Sequence, residues 1–386
     1  MSRNEIFSQI QGYDEHLRDM EVCRKYGIDY TMTTGQVRSV VDLYHPSKLN
    51  LRISEIITET QSASTLRLVS ADGYLPPFQA GQYINIFVEI SGVRTSRPYS
   101  IASSPAQTGY YDITVKRVEG GFVSDYLLDR AETGQALESS SPAGTFYFNP
   151  LFHHRHMVLV AGGSGITPFM SMIREVTDRG LDRSIHLIYG NRKEDDIIFD
   201  AELRDRASRH DNFMFTPVIA EPSKGCTEHT GFITADLMRT VLDNTDSKTY
   251  YLCGPKEMYD FCLPEIDKLG VPSRQVRREL FGGFKNITDE PGWPDNLKGS
   301  ETFTLKIRGG KSIKARADEP LMVSMERAGI AVPALCRTGA CSMCRVKLLS
   351  GRVYQPAGVL MRKSDSDFGY IHSCMAFPME DCEIIL

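Results

Sequence analysis

No run in these 386 residues is apolar for long enough to cross a bilayer: the longest, such as Met157–Ala161, are a few residues against the roughly 20 that a spanning helix needs. The opening Met1-Ser2-Arg3-Asn4-Glu5 meets polar residues at once and lacks the apolar core of a secretory signal, so a cytoplasmic protein is expected. Internal repeats and low-complexity tracts are missing. With 41% hydrophobic and 24% charged residues, the composition is that of a globular protein, neither disordered nor fibrous. Strong charge of one sign is missing as well. The net charge of −5 offers no footing for nucleic acid. The balance is uneven: from residue 300 onward 12 basic side chains meet 9 acidic ones, a surplus of +3 that leaves −8 for residues 1–299. A basic C-terminal part suits an acidic docking partner.

Cysteine is plentiful. There are nine, an odd number, and five fall in the last 51 residues, four of them forming an unevenly spaced cluster. In a chain without a secretory signal such a cluster points to metal rather than disulfides. The length implies two or three domains, each able to bury its own core.

Residues 1–46 read as a polar helical extension, with Ile6, Ile10, Leu17 and Met20 near helical spacing. From Leu49 the pattern turns to short β-rich runs, Leu51–Ile57, Ser64–Ser70, Tyr83–Ile90 and Tyr111–Arg117, broken by Pro76-Pro77, Gly81, Gly92 and Gly120-Gly121. Such runs predict an antiparallel barrel or sandwich. Near residue 156 strands begin to alternate with helices. Met157–Ala161 leads to a helix from about Phe169, Ile185–Tyr189 to one near Phe199–Ser208, and Tyr250–Cys253 to one near Met258–Lys268. That order predicts βαβ units on a parallel sheet. Residues 286–299, with Pro291, Gly292 and Pro294, read as a linker to a third unit, 300–386.

The strongest chemical signal is Cys336-Arg337-Thr338-Gly339-Ala340-Cys341-Ser342-Met343-Cys344, followed after 29 intervening residues by Cys374. This C-x4-C-x2-C…C spacing is that of a plant-type [2Fe–2S] ligand set. Zinc normally uses paired C-x2-C knuckles, which a four-residue gap does not supply. Gly339, Ala340 and Ser342 are small enough to bring backbone N–H groups onto the sulfurs. Cys382 reads as a buried thiol in an apolar C-terminal strand.

Arg97-Pro98-Tyr99-Ser100 provides a guanidinium for a pyrophosphate, an aromatic ring to pack on a flavin and a hydroxyl for its redox-active edge near N5. It follows the strand ending near Ile90 and precedes another. Read alone it also fits an ordinary strand end with a surface arginine. Gly121-Phe122-Val123-Ser124 opens a helix whose N-terminus can receive phosphate, and Gly121, Val123 and Ser124 are assigned to that site.

Gly162-Gly163-Ser164-Gly165-Ile166-Thr167-Pro168 follows the Met157–Ala161 strand. Gly163 and Gly165 admit a pyrophosphate to the backbone, with Thr167 as N-cap and Pro168 as first helical residue. The stretch is not G-x-G-x-x-G, which disfavours a classical Rossmann dehydrogenase; a purely structural glycine turn is the other reading. Tyr251-Leu252-Cys253-Gly254-Pro255 ends a strand on the same edge, where Gly254 allows close approach to a nicotinamide and Cys253 lines the face from which hydride leaves. Cys253 also reads as a structural thiol. Arg192 and Lys193 suit a ribose phosphate, but Glu194, Asp195 and Asp196 follow at once and favour NADH over NADPH. His153-His154-Arg155-His156 reads as a solvated loop rather than a metal site.

On these motifs the chain resembles the ferredoxin-NADP(+) reductase-like flavoproteins that carry a C-terminal plant-type [2Fe–2S] ferredoxin domain, of the oxygenase-reductase, hybrid-cluster-protein reductase and phenylacetyl-CoA epoxidase reductase type. The likeness covers residues from about 47 to 386. It implies a six-stranded antiparallel FAD-binding barrel over 47–153, a doubly wound parallel-sheet NAD(P) domain over 154–285 and a β-grasp [2Fe–2S] domain over 300–386. It further implies that Arg97, Pro98, Tyr99 and Ser100 bind FAD with Gly121–Ser124 at its pyrophosphate. Gly163, Gly165, Thr167, Pro168, Arg192, Cys253, Gly254 and Pro255 would hold the nicotinamide nucleotide. Phe281, in Glu279-Leu280-Phe281, would close the flavin site, and Cys336, Cys341, Cys344 and Cys374 would bind the cluster.

The expected activity is an NAD(P)H:acceptor oxidoreductase. Nicotinamide yields an electron pair as hydride, the cluster takes single electrons, and FAD bridges the two. The protein's part is chiefly positioning, centred on Ser100 and Cys253. The partner is a separate protein that accepts single electrons: an oxygenase, a hybrid-cluster protein, a corrinoid protein or another redox enzyme. A non-enzymatic redox sensor and a stand-alone flavin reductase acting on a small molecule are the rival readings.

Overall fold

The structure, a computed structural model, describes residues 12–27, 36–280 and 286–386. Two units are distinguished, Met1–Ser47 and Lys48–Leu386. The first holds α1 (Tyr13–Lys25) and α2 (Gln36–Tyr44). No residue of α1 is buried, Leu17 included; Ile6 and Ile10 lie outside the described residues.

The second unit begins with β1 (Leu49–Thr60), whose Leu49, Leu51 and Ile53 are buried while Asn50 and Arg52 are exposed. That period of two places one face on a core. β2 (Ala63–Ser70), β3 (Tyr83–Ile90), β4 (Val93–Ser100), β5 (Tyr111–Lys116), α3 (Ser124–Asp129) and β6 (Ala136–Ser139) follow. The strands form an antiparallel sheet in the order β4-β3-β6-β1-β2-β5. An Ile101–Ile113 bridge and a 2.7 Å bond from Ala102 N to Asp112 O close it into a barrel.

The Arg97–Ser100 motif therefore lies on a strand, not between two strands as the sequence suggested. Pro98 lies within that strand. β4 is the first strand in the sheet order, so the missing N–H removes no ladder bond. The strand β6 was also missed, being only four residues long.

β7 (His156–Gly162), α4 (Ile166–Asp178), β8 (Ser184–Asn191), α5 (Asp200–Arg209), β9 (Phe213–Ile219), β10 (His229–Thr230), α6 (Ala235–Val241), β11 (Lys248–Gly254), α7 (Lys256–Asp267) and β12 (Val276–Leu280) build a parallel sheet ordered β10-β9-β8-β7-β11-β12. Residues 157–162 of β7 are buried without alternation because helices cover both faces. The two faces feed separate cores, one around Leu159, Phe169 and Tyr251, the other around Val160, Met238 and Leu252. Adjacency of β7 to β8 on one side and β11 on the other makes β7 the strand where the winding reverses, which is where an open α/β sheet binds its ligand.

The third part holds β13 (Thr302–Ile307), β14 (Ser312–Arg316), α8 (Leu321–Arg327), β15 (Arg345–Ser350), β16 (Val353–Tyr354), α9 (Lys363–Asp367), β17 (Tyr370–His372), β18 (Phe377–Pro378) and β19 (Cys382–Ile385). A mixed five-stranded sheet, β14-β13-β19-β15-β17, is packed by α8 in the β-grasp manner. Leu321 and Met325, one helical turn apart, face that sheet, while Met322 turns toward Cys344 and Cys374. Cys382 is buried in β19.

The segment read as a linker is anchored. Ile287 is buried with Tyr354 and Phe377, Trp293 packs edge-on to Tyr354 at 5.4 Å, and the Tyr354 hydroxyl donates to Pro291 O at 2.9 Å. Its prolines and glycine suppress regular structure without suppressing packing.

Candidate functional site

Three left-handed residues in the cysteine loop, Arg337 (φ 55°), Gly339 (φ 74°) and Ser342 (φ 60°), curl it tightly. A Cβ on Gly339 would also come within 3.1 Å of Met375 and Val359. The curl brings the N–H of Cys341 to 3.3 Å and that of Thr338 to 3.5 Å from Cys336 Sγ. From the far side Cys374 Sγ sits 3.2 Å from Cys344 Sγ. His372 Nδ1 at 2.9 Å from Gly339 O and the Ser373 hydroxyl donating to Cys344 O at 2.8 Å clasp the two segments together.

The four thiols thus stand as two pairs, Cys336 with Cys341 and Cys344 with Cys374. The neighbouring thiol and the N–H donors hold Cys336 below the ordinary thiol range. Among the described residues no three His, Cys, Asp or Glu side chains close on one point as a single metal ion requires. Two thiolates per iron is what a two-iron centre needs, and paired sulfurs fit it better than they fit zinc.

On β4, Arg97 donates to Thr95 Oγ1 at 2.9 Å and to Ser96 O at 2.7 Å. Burial, aided by the nearby Arg337 cation, pulls its guanidinium down to about 10. Among the described residues no carboxylate forms an ion pair with it, so this cation suits a phosphate. Tyr99 packs against the barrel core, and burial raises its hydroxyl pKa. Ser100 is 3% exposed and its hydroxyl has no partner among the described residues, an orphaned group at the position expected for a flavin edge.

Gly121 begins the turn into α3. A Cβ there would lie 2.1 Å from Ser124 Oγ and 2.8 Å from Val118 O. Val123, buried in the barrel core, caps the helix without a side-chain bond, which leaves first-turn N–H groups for an anion. Arg97, Tyr99, Ser100 and the Gly121–Ser124 turn fit FAD.

The two loops assigned to the nicotinamide nucleotide meet. A Cβ on Gly165 would stand 2.0 Å from Cys253 O and 2.7 Å from Gly254 N, and Cβ atoms on Gly162 and Gly254 would each strike Met258. Gly165 therefore serves loop-to-loop packing. Gly163 stands at φ 52°, and a Cβ there would meet only Lys116 Nζ, at 3.7 Å, so it faces open space and suits a phosphate better. Its carbonyl accepts from the Tyr189 hydroxyl at 2.8 Å.

Thr167 is not an N-cap. Gly165 caps α4, Thr167 and Pro168 occupy its second and third positions, and the Thr167 hydroxyl donates to Ser164 O at 2.8 Å, because a short 3-10 turn over Gly163–Gly165 starts the helix early. Cys253 is wholly buried and burial raises its thiol well above the ordinary value, so it stays protonated. Pro255 is exposed and caps α7.

Arg192 is exposed and pairs with Glu221 at 2.8 Å. Glu194 accepts from the Ser223 N–H and hydroxyl, and Asp196 is engaged by Lys116 and by the Ser62 hydroxyl at 2.6 Å. Two of the three acids expected to face a ribose thus hold the protein together. The histidine stretch is less solvated than expected: His153 Nδ1 lies 3.0 Å from Asn149 N and 2.6 Å from the Tyr251 hydroxyl, and His154 Nε2 lies 2.9 Å from Gln275.

Phe281 lies outside the described residues. Two residues earlier, Glu279 on β12 was overlooked as a site residue in its own right. Burial, with Cys336 nearby, pushes its carboxyl up to about 8, its Oε2 has no partner among the described residues, and it adds to the electrostatic surroundings of both Cys253 and Tyr83. Its signal was a lone acid two residues before the aromatic assigned to the flavin.

Residues 48–148 match the oxidoreductase FAD-binding domain, 159–263 the oxidoreductase NAD-binding domain and 305–379 the 2Fe-2S iron-sulfur cluster binding domain. The chain is 28% identical to the glycine betaine monooxygenase reductase subunit of Pseudomonas aeruginosa, over 86% of this chain and 94% of that one. It is also 28% identical to the ferredoxin reductase component of 3-ketosteroid-9-alpha-monooxygenase from Rhodococcus rhodochrous, over 89% and 98%. Among solved structures, phthalate dioxygenase reductase, described as a modular structure for electron transfer from pyridine nucleotides to [2Fe–2S], aligns with a TM-score of 0.65 at 25% identity, over 88% of this chain and 97% of that one.

Proposed function

We propose, on the premise that this chain is a ferredoxin-NADP(+) reductase-like flavoprotein with a C-terminal plant-type [2Fe–2S] domain, that its acceptor is the oxygenase component of a monooxygenase system. The chain is an NAD(P)H-dependent reductase that passes electrons through FAD and a [2Fe–2S] cluster to a separate acceptor. Its likeness to two monooxygenase reductase components over nearly their full length favours an oxygenase over a hybrid-cluster or corrinoid protein.

The observation that carries the electron route is the pairing of four thiols in the same unit as the orphaned Ser100 hydroxyl and the uncompensated Arg97 cation. FAD bound there takes an electron pair and releases electrons singly. Arg97 and the Gly121–Ser124 turn would neutralise its pyrophosphate, Tyr99 would pack on its ring, and Ser100 would donate near N5. Gly163 and the N-terminus of α4 would receive the dinucleotide phosphates, and Cys253 would line the nicotinamide pocket as a neutral thiol. With Arg192 already paired to Glu221, NADH is the proposed donor. The supporting domain limits are 47–153, 154–285 and 300–386, and a set of four unpaired cysteines favours a reducing compartment such as the cytoplasm.

The test is anaerobic titration with NADH and then NADPH, followed by visible absorption and paramagnetic resonance. Flavin bleaching together with a reduced-cluster resonance is expected at lower NADH than NADPH. Bleaching without that resonance defeats the electron route. Reoxidation of the reduced protein by an oxygenase component, and not by a hybrid-cluster protein, tests the acceptor.

A further inference from the structure

We propose that Glu326 is a positioning residue that ties the flavin strand to the cysteine loop, so that FAD binding and docking of the iron–sulfur part stabilise each other. This deepens the reading above, since it takes β4 as the flavin strand.

The contact is a directed chain of hydrogen bonds across the boundary between barrel and ferredoxin-like part. Arg97 donates to Thr95 Oγ1 at 2.9 Å, and the Thr95 hydroxyl donates to Glu326 Oε2 at 3.0 Å. The other carboxylate oxygen of Glu326 pairs with Arg337, which lies next to the cluster ligand Cys336. Arg337 also reaches Thr95 Oγ1 at 3.3 Å and Ser96 Oγ at 3.4 Å. One hydroxyl therefore stands between the guanidinium assigned to the flavin pyrophosphate and the carboxylate that holds the cysteine loop. Bonds arranged head to tail in this way polarise one another.

Three further observations indicate a built contact. The side chains of Glu326 and Arg337 are only 7% and 10% exposed, so the pair is desolvated and loss of either partner strands a buried charge. Arg337 is held at φ 55°, a left-handed conformation that a non-glycine residue keeps only when its surroundings demand it. A second clasp runs beside the first: Asn85 on β3, wholly buried, donates to Ser96 Oγ at 2.9 Å and to Ala334 O, just before the cysteine loop, at 2.8 Å. A flavin phosphate on Arg97 would orient that guanidinium, and with it Thr95 and Glu326. The linkage is reciprocal by thermodynamic necessity.

The experiment uses the full chain carrying FAD and cluster. FAD release on dilution is followed by flavin fluorescence, and anaerobic mixing with NADH separates flavin bleaching from cluster reduction. Glu326→Gln is expected to weaken FAD binding by about 5- to 150-fold, although Glu326 itself lies beyond Arg97 from the flavin. It is also expected to slow the cluster-reduction phase by roughly tenfold through misplacement of the loop, with the bleaching phase unchanged. The double variant Glu326→Gln/Arg337→Gln removes the stranded charge and is expected to regain thermal stability without regaining FAD affinity, whereas a merely structural pair would restore both.

Should Glu326→Gln fail to fold, Thr95→Val cuts the hydroxyl link and keeps the ion pair. It is expected to weaken FAD binding and leave cluster reduction unchanged. Wild-type FAD affinity in Thr95→Val, or wild-type affinity and cluster-reduction rate in Glu326→Gln, overturns the proposal. A wild-type protein with no reduced-cluster resonance would defeat the electron-transfer reading instead, and FAD release from Glu326→Gln would still decide the tie.

Discussion

At Gly165 a methyl group has no room: its ideal position is 2.0 Å from the Cys253 carbonyl oxygen, a backbone atom that cannot swing away. Gly165→Ala is expected to destabilise the chain by about 1–3 kcal/mol, as overpacking does, and to raise KM for NADH by forcing the two loops apart. Thermal melts and steady-state kinetics check this, and an unchanged KM refutes it. His186 on β8 supplies a pH dependence. Burial holds its imidazole down at about 4, against an ordinary value near 6.5 in the unfolded chain, and it lies 2.8 Å from Thr216 Oγ1. Between these values the unfolded chain binds a proton that the folded chain refuses, so stability falls as pH drops from about 6.5 toward 4, by at most roughly 3 kcal/mol. Melts of wild type and His186→Gln at neutral pH and near pH 4.5 should differ less in the variant. Equal acid losses would show that His186 does not set the dependence.

Among the elements, β4 and the cysteine loop do the most with the least regularity. β4 tolerates Pro98 because it is first in the sheet order, and that strand carries Arg97, Tyr99 and Ser100 while Thr95 and Ser96 face the cysteine loop. The loop depends on Gly339, whose left-handed backbone costs a residue with a Cβ about 1–2 kcal/mol before the crowding by Met375 and Val359 is counted. Gly339→Ala is therefore expected to lower iron and acid-labile sulfide per chain while leaving FAD content near wild type. Full iron occupancy in the variant would show that the loop curls without the glycine.

At the scale of the molecule, an FAD-binding, an NAD-binding and a 2Fe-2S-binding part follow one another in chain order within one unit. The segment over 286–299 packs onto the ferredoxin-like part through Ile287, Trp293 and the Tyr354 bond to Pro291, so it extends that part instead of hanging free of it. Trp293→Ala is expected to cost about 2–3 kcal/mol, below the value for a fully buried aromatic, and to speed proteolytic cleavage near residue 290. Cleavage at the wild-type rate would mean that this packing does not restrain the segment.

Much of this architecture is legible in the sequence alone. Alternation along β1, the unbroken apolar run of β7 and the cysteine spacing are local patterns imposed by strand geometry and by a small cluster's need for converging thiolates, so they identify the barrel, the parallel sheet and the iron–sulfur part from residue order alone. Other features depend on partners far along the chain. Gly165 looked like a phosphate glycine until Cys253 came to lie against it, and Asp196 looked like a ribose ligand until Lys116 and Ser62 engaged it. Glu326 carried no motif, and Glu279 and Arg337 stood inside quoted motifs without being assigned a role of their own. Their roles arise from burial and charge pairing between segments as many as 242 residues apart, as in the Thr95–Arg337 contact, and no local spacing encodes such a meeting.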